Sequence, residues 1–165
     1  MHMYNLAQCL IEMGHKVIVI TSAYSGERIG IRYLSNGLKV YHLSTTVLAS
    51  QCSYPDWYCF MMPILRTIFV REKIHIVHGH QATSTISCHA QMVGHVMGLK
   101  CVFTDHSLFG FSDVASFYMN KCSKWILALT QACICVSNAN KDNLTLRAAV
   151  DPSKIYVIPN SVDTL

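Results

Sequence analysis

Charge is what this sequence has least of. Only 13% of its 165 residues are Asp, Glu, Lys or Arg, while 52% are hydrophobic. A chain this poor in charge favours a sheet buried on both faces, or one that works against a partner or a membrane. The formal net charge is +4, but no arginine- or lysine-rich run with interleaved aromatics occurs, so nucleic-acid binding has no footing. Scattered basicity of this size is only a mild help at an anionic membrane surface. Long apolar runs are lacking too: Trp125 to Val136 is interrupted by Thr130 and Gln131 and is too short to span a bilayer. The N-terminus reads as an amphipathic helix with no charged n-region, so no secretory leader is recognisable. None of the eight cysteines forms a C-x-x-C pair, and reduced, buried thiols of a cytosolic environment are expected rather than a disulfide framework. The dinucleotide fingerprint G-x-G-x-x-G is absent, which disfavours an NAD enzyme.

What is present is a regular alternation of helical and strand patterns, in a length that suits one domain with a sizeable core. Met3, Leu6, Leu10 and Met13 recur at helical spacing, and Gly14 is placed to cap the helix. The apolar run Val17 to Ile20 predicts a strand ending at Thr21-Ser22. A hairpin follows, with residues 31–34 facing 38–43 across Ser35-Asn36-Gly37, because Asn-Gly is a strong turn signal. Residues 44–56 read as loop, and 57–73 as a helix kinked or restarted at Pro63. Strands are then expected over 74–77, 100–104, 132–136 and 155–158, with helices over 83–97, 114–129 and 139–150. Near-continuous apolar strands alternating with helices indicate a Rossmann-like, doubly wound, mostly parallel α/β sheet. Cys133 and Cys135 alternate as core residues of such a strand. Asn143-Leu144-Thr145 matches a glycosylation sequon but falls in an expected helix, and chance matches to so short a pattern are common.

The strands stop at small polar or ionisable groups: Thr21-Ser22, His78 and His80, Asp105-His106, Ser137-Asn138 and Asn160. Right-handed crossovers carry such ends to one sheet edge, where open parallel sheets bind ligands. The stretch Lys100 to Phe111 is the most telling, because a buried strand there delivers a carboxylate, an imidazole and a hydroxyl from Asp105, His106 and Ser107. Capping of the next helix is an equally good account of Asp105 or Ser107 taken alone. These three are adjacent and no G-x-S-x-G elbow exists, which rules out a hydrolytic triad. His75-x-x-His78-x-His80 is not read as a metal site, since alternation turns His75 and His78 to opposite sides and no cysteine or carboxylate lies close in sequence.

Four runs together resemble a known family: LAQCLIEMGHKVIVIT, GIRYLSNGLKVYHL, VFTDHSLFGFSDV and LRAAVDPSKIYVIPNSVD. They are similar, in order and over almost the whole chain, to the N-terminal half of phosphatidylinositol N-acetylglucosaminyltransferase catalytic subunits, within glycosyltransferase family 4. The residues around Trp57 to Met62 match poorly and leave the role of 44–62 open. The resemblance implies a GT-B fold, with residues 1–159 as the acceptor-side Rossmann-like domain and 160–165 opening the link to a donor-side domain. It implies transfer of N-acetylglucosamine from UDP-GlcNAc to phosphatidylinositol by a retaining, metal-independent enzyme that carries no resident cofactor. Expected surroundings are the cytoplasmic face of the endoplasmic reticulum membrane and the other subunits of the transferase complex. His106 falls at the catalytic position near the reacting sugar; His78, His80, Asp105 and Ser107 fall where the acceptor binds. Donor-binding residues are not assigned. By the same resemblance a first strand, with its glycine-rich loop, is expected before Met1, and a donor-binding domain beyond Leu165. The chain by itself is then expected to bind the nucleotide sugar poorly, to be inactive and to fold poorly. A different expectation, a truncated isoform or relic that only binds acceptor or partner subunits, shares the same acceptor-side edge.

Overall fold

The computed structural model describes residues 2–24, 26–45, 47–49, 52–53, 58–82, 84–108 and 114–160. The chain divides into two compact units, residues 1–54 and 55–165.

The first unit begins with α1 (His2–Glu12). Gly14, at φ +87°, lets the chain leave the helix, with its N–H donating to Ile11 O and that of His15 to Leu10 O. Strand β1 (Ile18–Ala23) follows and runs through Thr21-Ser22 instead of stopping there. The expected hairpin is present as β2 (Gly30–Tyr33) and β3 (Lys39–Ser44), antiparallel with Tyr33 opposite Lys39. Its turn needs Gly37 at φ +82°, and Asn36 Oδ1 accepts from Leu38 N at 3.1 Å. β1 pairs with β3 in parallel, giving the order β1-β3-β2. The small core joins Ala7 of the helix to Leu38 and Val40, flanked by Ile11, Val17 and Val19. Part of the expected loop is instead a short antiparallel pair, β4 (Val47–Ala49) and β5 (Cys52–Ser53). Residues 46, 50–51 and 54–57 lie outside the described residues.

The second unit opens with α2 (Tyr58–Glu72), which runs through Pro63 without ending. A proline costs the helix one hydrogen bond, and burial of Met61, Leu65, Ile68 and Phe69 along one face offsets it. Then come β6 (Ile76–His80), α3 (Thr85–Val96), β7 (Lys100–Asp105), α4 (Val114–Leu127), β8 (Ala132–Cys135), α5 (Asn138–Ala148) and β9 (Ile155–Val157). The four strands form a parallel sheet in the order β6-β7-β8-β9. Ser84 and Ser137 accept the N–H groups of Ser87 and Asn140 as N-caps of α3 and α5. Each step moves one strand onward in the same direction, so right-handed crossovers place α3, α4 and α5 on one face of this sheet. That face carries Val77, Cys101, Phe103, Cys133, Cys135 and Ile155, all buried. The opposite face is only partly covered, with Ile76 and Tyr156 exposed.

Candidate functional site at the strand ends

The site follows from register and parity. β6 is paired with β7 as far as His80, opposite Thr104, and Gln81 N donates once more to Thr104 O at 3.0 Å. The strand thus reaches past Val77, where the apolar run ends, and takes His78 and His80 inside it. Residues two apart on a strand share a face, so both histidines project to the less covered side, and their rings stack with centroids 4.3 Å apart. Between them Gly79 faces the helices: a Cβ there would press on Ser87 Oγ and come within 2.7 Å of Gln91 Nε2. A side chain there would require Ser87 and Gln91 to give way.

β7 shares the parity. Thr104 is on the histidine side, and its Oγ1 hydrogen-bonds His78 Nε2 at 2.7 Å. One residue on, Asp105 points under the helices and is 0% exposed. Just past the strand, His106 returns to the His80 side. The two rings are 5.7 Å apart and nearly parallel, and His80 Nδ1 shares a hydrogen bond with His106 Nε2 at 3.3 Å. One of those nitrogens donates and the other accepts, so the bond fixes complementary tautomers on the pair. Ser107 Oγ accepts from Gln81 Nε2 at 3.0 Å, and Ser107 O accepts from Asn140 Nδ2 at 2.9 Å. Of the expected site residues, His78, His80, His106 and Ser107 come together, half-buried, at the finishing edge of the sheet.

Asp105 does not join them. Fully buried, it offers no atom to a ligand. Burial pushes its carboxyl above the usual carboxylate range; the Ser107 N–H, the Arg147 guanidinium, the Asn140 side chain and the His106 N–H pull it down without reversing that. None of these donors reaches full hydrogen-bonding geometry to either oxygen. Asp105 therefore sits beneath the His106-Ser107 turn, among groups that hold the turn from below. Arg147 is anchored by Asn120 Oδ1 and Asn143 Oδ1, each at 2.6 Å. Burial lowers its pKa, while Asp105 opposes that shift.

Two participants escape sequence reading. Gln81 holds Ser107 from a left-handed backbone, φ +67°, a conformation that costs a non-glycine residue of order 1 kcal/mol and clusters at functional sites. Its one signal is membership of the polar run that follows His78. Asn140 has no such signal, being 33 positions from its partner. Three cysteines are core residues: burial raises Cys101 and Cys133, and it pushes Cys135 up to about 12, with Asp105 and Cys133 adding to the shift. Thr21 and Ser22 belong to the first unit, and Ser137 is spent on a helix cap.

The sheet, the helices returning across it and a polar finishing edge define a Rossmann-like half of the GT-B class. Solved structures with this fold include a UDP-N-acetylglucosamine 2-epimerase from Listeria monocytogenes, TM-score 0.67 and 16% identity over 94% of this chain and 40% of that one. A sucrose-phosphate synthase from Thermosynechococcus elongatus also matches, with TM-score 0.67 and 16% identity over 98% of this chain and 86% of that one.

At the level of sequence the likeness is far narrower. Residues 23–113 match the family described as PIGA (GPI anchor biosynthesis). A phosphatidylinositol N-acetylglucosaminyltransferase subunit from Arabidopsis thaliana is 50% identical over 99% of this chain and 36% of its own length. The Homo sapiens subunit of the same name is 50% identical over 98% of this chain and 33% of its own length. The chain belongs to this glycosyltransferase family, and it spans about a third of the length of these relatives.

Proposed function

We propose that this chain is the acceptor-side part of a retaining glycosyltransferase that moves N-acetylglucosamine from UDP-GlcNAc to phosphatidylinositol, the first step of GPI anchor biosynthesis. The observation that carries the reading is the 50% identity along nearly the whole chain to subunits named for that transfer. The geometry supports it with an edge whose groups suit a polyhydroxylated headgroup. His78, His80 and Ser107 offer ring nitrogens and a hydroxyl to inositol. In the transfer, the bond from the sugar's anomeric carbon to UDP breaks, a bond to an inositol oxygen forms, and that hydroxyl's proton leaves with the departing UDP.

His106, tied to His80, stands at the reacting end and stabilises the charge that develops there. Asn140 and Gln81 hold the turn that carries it. The diphosphate of the donor needs fixed positive charge or a fan of N–H groups, and donor binding is assigned to the remainder of a longer protein, since the chain spans about a third of its relatives' length. The reaction as proposed needs no metal or resident cofactor. It takes place at the cytoplasmic face of the endoplasmic reticulum membrane, within a complex of subunits; among the described residues no helix is long and apolar enough to cross a membrane.

The test is a transfer assay. The full-length protein containing this segment, expressed in cells that lack their own copy of the catalytic subunit, should restore formation of N-acetylglucosaminyl-phosphatidylinositol from radiolabelled UDP-GlcNAc in microsomes. Expressed protein with no such product would overturn the reading.

A further inference from the structure

An apolar groove of about 360 Å³ lies between the C-terminal halves of α3 and α4, lined by Met92, Val96, Trp125, Ile126 and Leu129 among others. Trp125 is 75% exposed and Val96 70%, which is unusual for side chains that bind best when covered. On the neighbouring flank of α4 a smaller cavity of about 150 Å³ is lined by Asn120, Lys121, Lys124 and Arg147. No acidic residue lines either cavity among the described residues. Lys124 and Trp125 are consecutive, so α4 offers an apolar trough beside a cationic one.

The position excludes a part in acceptor binding. α3 and α4 run back from the finishing edge, and their last turns lead into Lys100 and Gln131, at the edge where β7 and β8 start. A strand of six residues separates that edge from His80 and His106 by about 17 Å. A bilayer seated there would stand about 17 Å from the histidines, more than the roughly 5–8 Å depth of a headgroup layer, so a lipid surface fits poorly. A protein helix fits: apolar side chains at i, i+3, i+4 and i+7 fill such a trough, while carboxylates on one flank meet the lysines.

We propose that the α3–α4 groove docks an amphipathic helix with an acidic flank, supplied by another subunit of the transferase. This rests on the reading above, and on the naming of relatives as subunits of that enzyme. Trp125 is the anchor, and Lys121 and Lys124 set the register.

The test uses the full-length protein purified with its complex. Trp125→Glu and Val96→Asp should each lower recovery of the other subunits about tenfold or more, while the melting temperature of the variant protein stays near that of the wild type. The double variant Lys121→Glu/Lys124→Glu should weaken recovery less, and acid-to-lysine changes on the partner helix should restore it. As a measurement independent of folding, p-benzoylphenylalanine placed at position 125 should crosslink to one peptide of a co-purified subunit, acidic and amphipathic by sequence. Unchanged recovery in the variants would overturn the proposal. So would a crosslink to lipid or to another part of the same chain, or variants that lose only flotation with phosphatidylinositol vesicles. Recovery and crosslinking do not depend on turnover. A complex that assembles through this groove yet transfers no sugar would contradict the proposed function and leave the groove assignment standing.

Discussion

The two units solve the same problem with different means. In the second, four parallel strands lie under three helices, and the side chains between them are almost wholly excluded from water: Cys101, Cys133, Cys135 and Leu144 are 0–1% exposed. In the first, the three-stranded sheet rests on one helix, β2 is exposed along its length, and Ile31 and Tyr33 face solvent. Lys39 there lies 5.8 Å and 5.1 Å from the Tyr33 and Tyr41 ring centres, a cation–π contact at the surface. Side-chain placement is thus enforced most strictly in the second unit, where each strand residue has a helix on one side and a neighbour strand beside it. The candidate site stands on that unit. β1 and β6 each have a single strand partner among the described residues, which makes each an edge strand of its own sheet.

The sharpest way to break this contrast is at the cores. Leu144→Ala should cost about 2–5 kcal/mol, whereas Ile31→Ala, at a site 42% exposed, should cost no more than about 0.5 kcal/mol. Pulse proteolysis of the full-length protein with fragment mapping compares them, and equal costs would dissolve the distinction. Next is Gly79→Ala. The added methyl presses on Ser87 and Gln91, so these side chains must turn away, with Gln91 giving up its bond to Val102 O, or α3 must shift, at about 1–3 kcal/mol; a neutral effect would show that Ser87 and Gln91 yield freely.

Smaller again is the pH response of the second unit. Asp105 has a folded pKa above its unfolded one, so its contribution is fully present below the ordinary carboxylate pKa and lost as pH rises through the raised value. Stability should therefore fall across that window, and Asp105→Asn should flatten the fall. Melting curves of the two proteins from acid to neutral pH would decide it. A variant with the wild-type profile would mean that Asp105 stays ionised throughout.

These contrasts also explain what the sequence can reveal. Type and order of the major elements follow from period and caps: Gly14, Asn36-Gly37, Ser84 and Ser137 do locally what their chemistry dictates. Strand ends are less legible, because pairing with β7 draws His78, Gly79 and His80 into the ladder although the apolar run stops at Val77. That extension determines the site. Once His78 and His80 belong to the strand, parity puts them on one face with Thr104 and sends Asp105 to the other. A carboxylate next to two candidate ligands in sequence thus becomes a support beneath them. Gln81 and Asn140 depend on contacts across the fold, 26 and 33 positions away, which no local pattern encodes. The little pair β4–β5 escapes a local reading for a similar reason, its strands being three and two residues long.

If the histidines at the finishing edge serve transfer rather than folding, with His106 at the reacting end, then losing that imidazole must separate activity from stability. The most direct test measures N-acetylglucosamine transfer from UDP-GlcNAc to phosphatidylinositol by the complete enzyme carrying His106→Ala, alongside its thermal unfolding. His106 is half-buried and outside the strand ladder, so the expected result is an unchanged melting temperature and a fall in kcat on the order of a hundredfold or more. Near-normal turnover in a folded variant would contradict the assignment of His106 to the reacting end.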